Sequence, residues 1–304
     1  MLWEKGILIY NGNAGQKGIE DTLGICVPIL SPHIKELALM PTTEPKEAEK
    51  ICRRHGEEAD IVIVLGGDGT VHECVNGLAA LEHRPAVAIL PGGTCNDFSR
   101  MLGMPQDIRA AAETIIQGET CTTDIGQAGD RYFSNFWGIG LIAETSANID
   151  ESQKNLLGKV SYFISAVRTV KEAESFSYKI TYDGQVMEDE AVLILVCNGG
   201  YLGTAQLPFE GIDNEDGKLD VIIVKNSSLG AFREILFNRG SSINHGEGDV
   251  LYLQAKNITV ETERICDVDA DGEIYMKTPA DIKILGQHMQ FIHGNERFWR
   301  KCLA

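Results

Sequence analysis

The stretch Val62–Glu73 reads VIVLGGDGTVHE. Its apolar opening has strand length and strand composition, and the two glycines that follow let the backbone turn and expose bare N–H groups to a ligand. Thr70 and Glu73 have the Thr-x-x-acid spacing of a capping box, which predicts a helix N-terminus beside the loop. A strand, a glycine turn and a helix start together form an anion site. Asp68 is the anomaly, a carboxylate in the middle of an anion's cradle.

The same local design occurs twice more. ILIYNGNAG places Asn11, Gly12 and Gly15 after a strand, and VAILPGGTCND places Gly92 and Gly93 after another, with Thr94 and Asp97 as a second predicted capping box. Between residue 5 and about residue 125, short β-rich runs alternate with helical stretches. That grammar predicts β-α units around a largely parallel sheet, whose carboxyl edge gathers the three loops. Neither common phosphate motif applies. G-x-x-x-x-G-K-[ST] is absent, and G-x-G-x-x-G fails at GDGTVH, where His72 occupies the last glycine position. A carboxylate is tolerable in such a loop when a cation or a ribose hydroxyl meets it, so Asp68 points to a magnesium-bearing nucleotide.

Beyond residue 130 the pattern changes to strands punctuated by Gly, Asp and Asn, among them AVLILVC at 191–197 and KLDVIIVKN from Lys218. This half is expected to be an antiparallel β-sandwich or flattened barrel. The fold class is therefore α/β plus all-β. The domains are placed at residues 1–125 and 126–304, with the last 15 or so residues returning to the first, and the boundary falls near the DIGQAG segment at 124–129.

The chain has 304 residues and a formal net charge of -17. So acidic a balance excludes a nucleic-acid partner, which needs a basic footprint. No apolar run approaches the roughly 20 residues that cross a bilayer, and the N-terminus has no export-signal pattern, so a cytoplasmic protein is expected. The eight cysteines stand apart with no C-x-x-C pair, which predicts reduced thiols and no zinc site. Lys46, Lys50, Arg53 and Arg54 recur at helical spacing, but interleaved glutamates make them a solvated helix face.

GGDGTVHECVNGL followed by LPGGTCNDFSRMLGMP resembles the diacylglycerol kinase catalytic domain of bacterial lipid kinases, related to sphingosine and ceramide kinases. GGDGT is shared with NAD kinases, whereas the second motif is more selective. The resemblance implies an NAD kinase-like α/β nucleotide domain and transfer of the γ-phosphoryl of ATP to a lipid hydroxyl, foremost that of diacylglycerol. It implies ATP contacts at Asn11, Gly12, Asn13, Ala14 and Gly15, at Thr42 or Thr43, at Gly67, Asp68, Gly69, Thr70, Val71, His72 and Glu73, and at Thr94. It further implies that Asp68 and Asp97 join a magnesium and water network, that Glu273 is the general base, and that Asp213, Asp216 and Lys218 form a metal site. Lys218 would contribute its carbonyl, since an ammonium cannot ligate a cation. Two residues depart from the family: His72 stands for the usual asparagine and Cys95 for the usual glycine.

Other readings of the residues compete with these. Asp-Gly is the leading hairpin signal, and Asp183-Gly184 in YDGQV is read as a turn alone. DVDADG, from Asp267 to Gly272, begins like an EF-hand loop, but its twelfth position is Thr278 instead of a glutamate. Leu156, Val160, Phe163, Ile164 and Val167 share one helical face, which either packs on the β domain or meets the membrane surface that a lipid kinase must visit. An NAD kinase-like enzyme and a catalytically inactive nucleotide-binding regulator remain alternatives. The oligomeric state is open, a homodimer being one option.

Overall fold

The structure, a computed structural model, describes residues 2–12, 16–143, 174–207, 209, 211–226 and 248–294. Two compact units emerge: Met1–Thr123 with Gln287–Ala304, and Asp124–Gly286. The expected contacts Asn13, Ala14 and Gly15 and the apolar stripe from Leu156 to Val167 lie outside the described residues.

The first unit runs β1 (Trp3–Asn11), α1 (Gln16–Leu30), β2 (Ile34–Thr42), α2 (Glu47–His55), β3 (Ile61–Gly66), α3 (Asp68–Leu78), β4 (Ala86–Pro91), α4 (Asp97–Met101) and α5 (Ile108–Ile115). Four parallel strands lie in the order β2-β1-β3-β4. Every residue of β3 and β4 is buried, as the continuous apolar runs require when helices cover both faces of a sheet. The crossover from β1 to β2 moves in the opposite direction to those from β2 to β3 and from β3 to β4. Right-handed connections therefore place α1 on one face and α2 and α3 on the other. The order reverses between β1 and β3, which makes their carboxyl ends the crevice of this sheet.

Strand β5 (Thr120–Ala128) leads into the second unit, which continues with β6 (Arg131–Phe133), β7 (Phe136–Gly140), β8 (Phe176–Tyr182), β9 (Gln185–Ala191) and β10 (Leu193–Cys197). After the short β11 (Tyr201–Leu202) and β12 (Ala205–Gln206) come β13 (Leu219–Val224), β14 (Val250–Ala255), β15 (Asn257–Thr262), β16 (Asp267–Ala270), β17 (Glu273–Lys277) and β18 (Ala280–Ile292). One sheet of the unit has the order β14-β13-β10-β7-β16-β17, and the other contains β15, β8, β9 and the start of β18. The neighbouring strands of both orders, and β5 with β6, pair antiparallel. The end of β18 belongs to the first unit, where Phe291 pairs with Val87 and meets Phe98 edge-on at 5.1 Å.

The six-stranded sheet is apolar on both faces. Ile194, Val196, Val221 and Ile223 join a core with Tyr178, Ile180 and Val260 of the opposing sheet. Leu193, Leu195, Ile222 and Val224 face the other way, into a second core with Phe209. Two-sided burial explains why β10 and the Val221–Val224 part of β13 read as unbroken hydrophobic runs and not as alternating ones.

The two units divide at Thr123/Asp124, beside the segment where the boundary was expected, and Asp124–Ala128 there continue strand β5. Gly126 is there because the Phe133 ring fills its side-chain space: a Cβ would lie 2.1 Å from Cζ. Lys46, Lys50, Arg53 and Arg54 are all exposed, Arg53 pairing with the buried Glu49 at 2.8 Å, so the basic run is a solvated face. The seven cysteines among the described residues are free thiols. No described helix is long and apolar enough to cross a membrane.

Candidate active site

In the first unit, three strand ends bring glycine loops together. Gly12 N–H donates to the Thr42 carbonyl at 2.8 Å, and Gly92 N–H donates to that of Gly66 at 2.9 Å. The loops after β3 and β4 touch backbone to backbone, since a Cβ on Gly93 would fall 2.4 Å from the Gly67 Cα. These glycines are needed for the contact between the loops as much as for any ligand.

The helix starts differ from the expected capping boxes. Helix α3 begins at Asp68 with Gly67 as N-cap, so Thr70 lies in its first turn. Glu73 points away and caps α2: its carboxylate accepts from Lys46 N–H at 2.7 Å and Ala48 N–H at 3.1 Å. Helix α4 begins at Asp97 with Asn96 as N-cap, and Thr94 is exposed in the loop before it. Asn96, which sequence reasoning did not single out, has φ 53 and exchanges side-chain hydrogen bonds with both Gly93 N–H and its carbonyl. Asp68 Oδ1 accepts from the Asp97 N–H at 2.8 Å, at the start of α4. The carboxylate in the cradle thus has a main-chain amide as a partner.

The remaining expected residues of this unit divide by exposure. Asp97 is buried, Gly67, Asp68, Gly69 and Thr70 are half-buried, and Asn11 is exposed. Thr42 is buried, whereas Thr43 is exposed and donates to Glu47 through its N–H and hydroxyl. Val71 and His72 are buried on α3. His72 Nε2 lies 3.2 Å from the Asn76 amide nitrogen, whose hydrogens make the ring nitrogen an acceptor. The departure at His72 is therefore a core residue and no surface contact. Cys95 is buried as well, leaving its carbonyl to accept from Arg100 Nε at 2.9 Å.

In the second unit, Glu273 is exposed at the start of β17, beyond a hairpin turn formed by Asp271 (φ 54) and Gly272 (φ 93). Asp271 is only 5% exposed, and its carboxylate accepts from the N–H groups of Ser134, Asn135 and Phe136, each at 2.9 Å, and from the Ser134 hydroxyl at 3.2 Å. Asp269 accepts from Gly272 N–H at 2.7 Å, and Thr278 is buried beyond β17. The EF-hand reading fails because its acids lie in a β-hairpin, where Asp267 pairs with Lys277 at 2.9 Å and both Asp271 oxygens are taken by main-chain amides. Asp183 likewise does more than turn the chain: it accepts from Lys256 and Asn257 N–H, which holds its carboxyl below the usual range. Beside Glu273 on β17, Tyr275 carries the Arg131 guanidinium over its ring at 4.8 Å. Burial pushes the Tyr275 phenol up, and neither residue carried a sequence signal.

The acidic turn before β13 holds the expected metal residues. Asp213 Oδ1 accepts from Glu215 N–H at 3.1 Å, Asp216 Oδ1 from Lys218 N–H at 2.9 Å, and Asp124 Oδ2 from Gly217 N–H at 2.6 Å. Burial raises the Asp216 carboxyl above its ordinary value, and the charges of Asp213 and Asp124 add to the rise. Oxygen donors crowded by like charge suit a hard divalent cation. Among the described residues no three His, Cys, Asp or Glu side chains converge as a ligand set, so a cation on this turn would need main-chain carbonyl or water oxygens as well. Next to it Asp220, missed in the sequence, is fully buried and pushed up to about 6, chiefly by that burial.

Known proteins share both halves. Residues 5–128 match the diacylglycerol kinase catalytic domain, and residues 138–293 match the YegS C-terminal NAD kinase beta sandwich-like domain. A Staphylococcus aureus (strain N315) protein named "Putative lipid kinase" is 30% identical over 298 residues, covering 96% of this chain and 97% of its own. A crystal structure from Bacillus anthracis str. Sterne, described as a "putative diacylglycerol kinase", superposes with a TM-score of 0.89 at 44% identity and 97% coverage of each chain. An NAD kinase from Archaeoglobus fulgidus in complex with ATP reaches 0.52 at 15% identity over 97% of this chain and 96% of its own, a likeness of fold alone.

Proposed function

The chain belongs to the diacylglycerol kinase catalytic-domain family, and from that membership we propose that it is a magnesium-dependent kinase moving the γ-phosphoryl of ATP to a lipid hydroxyl, foremost that of diacylglycerol. The observation that carries the reading is the reversal of strand order between β1 and β3, with the glycine loops after β3 and β4 in backbone contact there. Such a crevice offers main-chain donors to phosphates.

Phosphoryl transfer depends on positioning and on neutralising charge over the transferred group. Gly67, Gly69 and Thr70, in the first turn of α3, are the donors for phosphate oxygens, with Asn11 to Gly15, Thr42 or Thr43 and Thr94 completing the nucleotide contacts. Val71, His72 and Glu73 act from behind: the first two pack α3, and Glu73 fixes α2. Bound magnesium supplies positive charge to the phosphoryl oxygens, and Asp68 and Asp97 are the carboxylates of its water network. Glu273, exposed at the end of a rigidly clamped hairpin, accepts the proton of the lipid hydroxyl. Asp213, Asp216 and the Lys218 carbonyl hold a second, structural cation. Because the substrate is a lipid, the enzyme works at the membrane surface as a peripheral cytoplasmic protein.

The experiment is a kinase assay of the full chain with Mg-ATP against a panel of lipid hydroxyls in mixed micelles, with NAD as a further acceptor. Phosphorylated lipid is expected, and Glu273→Gln is expected to lower kcat by roughly 100-fold or more while ATP affinity stays within twofold. Phosphorylation of NAD alone would replace the lipid reading with the related small-molecule one, and ATP binding without any transfer would make the chain a regulator. A rate of Glu273→Gln equal to wild type would remove Glu273 from the mechanism.

A further inference from the structure

Asp220 is fully buried, yet Oδ2 of its carboxylate has no hydrogen-bond partner among the described residues. Oδ1 is well served: Tyr252 Oη donates to it at 2.5 Å and Gln254 Nε2 at 3.0 Å, both from β14. A buried carboxylate oxygen without a donor is costly, and a donor from outside the chain or a cation close by relieves that cost. The Lys218 ammonium makes no hydrogen bond to Oδ2; the bond it does make is to Gln254 Oε1, at 3.3 Å. The surroundings indicate where the missing partner lies. Asp220 feels the charges of Asp216 and Lys218, and Gln254 ties it to the acidic turn through the Gly211 carbonyl at 3.3 Å. With Oδ1 committed to β14, Oδ2 is the oxygen left for that turn.

We propose that Asp220 is a positioning acid of the divalent-cation site on this turn, its Oδ2 accepting a hydrogen bond from a water bound to the cation that Asp213, Asp216 and the Lys218 carbonyl hold. This rests on the structural-cation reading given above. Acceptors behind the ligands orient bound water and tune affinity, and their loss costs about 10- to 100-fold in metal binding.

The test is a titration of the nucleotide-free full chain with MnCl2, free Mn2+ being read by electron paramagnetic resonance, together with thermal unfolding with and without MnCl2. Asp220→Asn is expected to weaken binding by about 10- to 100-fold. Without the cation it is expected to unfold no earlier than wild type, because a buried charge has gone, and MnCl2 should raise its midpoint less. Asp216→Asn, which removes a direct ligand, should also weaken binding. Wild-type protein that takes up no Mn2+, or Asp216→Asn that binds it undiminished, would remove the structural-cation reading itself. Wild-type binding with Asp220→Asn within twofold of it would overturn the Asp220 proposal alone. A midpoint for Asp220→Asn lowered equally with and without MnCl2 would also overturn it, because that is the signature of a merely structural role. Should Asp220→Asn not fold, Asp220→Leu replaces it. If neither folds, the proposal falls, since it requires the cation-free site to tolerate loss of the charge.

Discussion

Asp271→Gly removes a carboxylate that four donors share while leaving the backbone at ease, because glycine adopts φ 54 freely. In wild type the N–H groups of Ser134, Asn135 and Phe136 and the Ser134 hydroxyl all end on this carboxylate, in a region with almost no solvent access. Each buried donor left without an acceptor costs about 1–3 kcal/mol, so the three amides alone sum to roughly 3–9 kcal/mol. Water entry at the opened turn relieves part of this, and about 3–5 kcal/mol is the expected loss, a large share of a typical domain's stability. Asp271→Asn also tolerates positive φ and keeps one carbonyl oxygen, so about 2 kcal/mol is expected for it. Urea unfolding followed by fluorescence of Trp137, buried in the same unit, in a Trp3→Phe and Trp299→Phe background measures both. A loss below about 1 kcal/mol for Asp271→Gly, or an equal loss for the two variants, would refute the shared-acceptor argument.

Two further outcomes follow from the first unit. Gly93→Ala puts a methyl 2.4 Å from the Gly67 Cα, a backbone atom that cannot rotate away, so the loops must separate. ATP affinity, measured with a fluorescent analogue, should fall roughly 10- to 100-fold, and an unchanged affinity would detach this contact from nucleotide binding. His288 is held below its ordinary value by burial, with the Arg84 charge adding to it, against a hydrogen bond to the Ala79 carbonyl at 2.8 Å. Its contribution is fully present above about pH 6.5 and is lost as the pH falls below that value. Thermal midpoints should therefore decline less between pH 7 and pH 5 in His288→Gln than in wild type. Parallel curves for the two proteins would contradict the assignment.

What could be read from the sequence was what depends on near neighbours. The unbroken apolar runs of β3 and β4 announced a covered parallel sheet, and Asp183-Gly184 and Asp271-Gly272 announced hairpins that the backbone does turn with positive φ. What failed depended on distant partners. The capping boxes assume that Thr70 and Thr94 are capped by the acid three residues on, whereas Glu73 caps a helix that begins about 25 residues earlier and Asp68 one that begins 29 residues later. DIGQAG marked the domain boundary, but nothing local in it shows that Gly126 makes room for a ring seven residues ahead in the paired strand. Asp220 and Arg131 left no trace because nothing local distinguishes a buried acceptor or a stacked guanidinium from surface charge.

The long-range caps also sharpen where an anion can bind in the first unit. On sequence grounds each helix start beside a glycine loop was equally suited to a phosphate. In the structure the amides at the start of α2 are met by the Glu73 carboxylate, and that of Asp97, which opens α4, by Asp68. A phosphate directed to either end would have to displace a carboxylate already held by short hydrogen bonds, at a cost about equal to what it gains. Helix α3 differs, because its N-cap is Gly67, which has no side chain to give. It is also the longest of the three, with eleven residues against nine and five, so its dipole is the best developed. By occupying the neighbouring helix ends, the two acids support the proposal that phosphate oxygens meet the first turn of α3, Gly67 to Thr70. On this argument Glu73→Gln should loosen α2 and weaken ATP binding only modestly, although Glu73 lies one turn from the cradle.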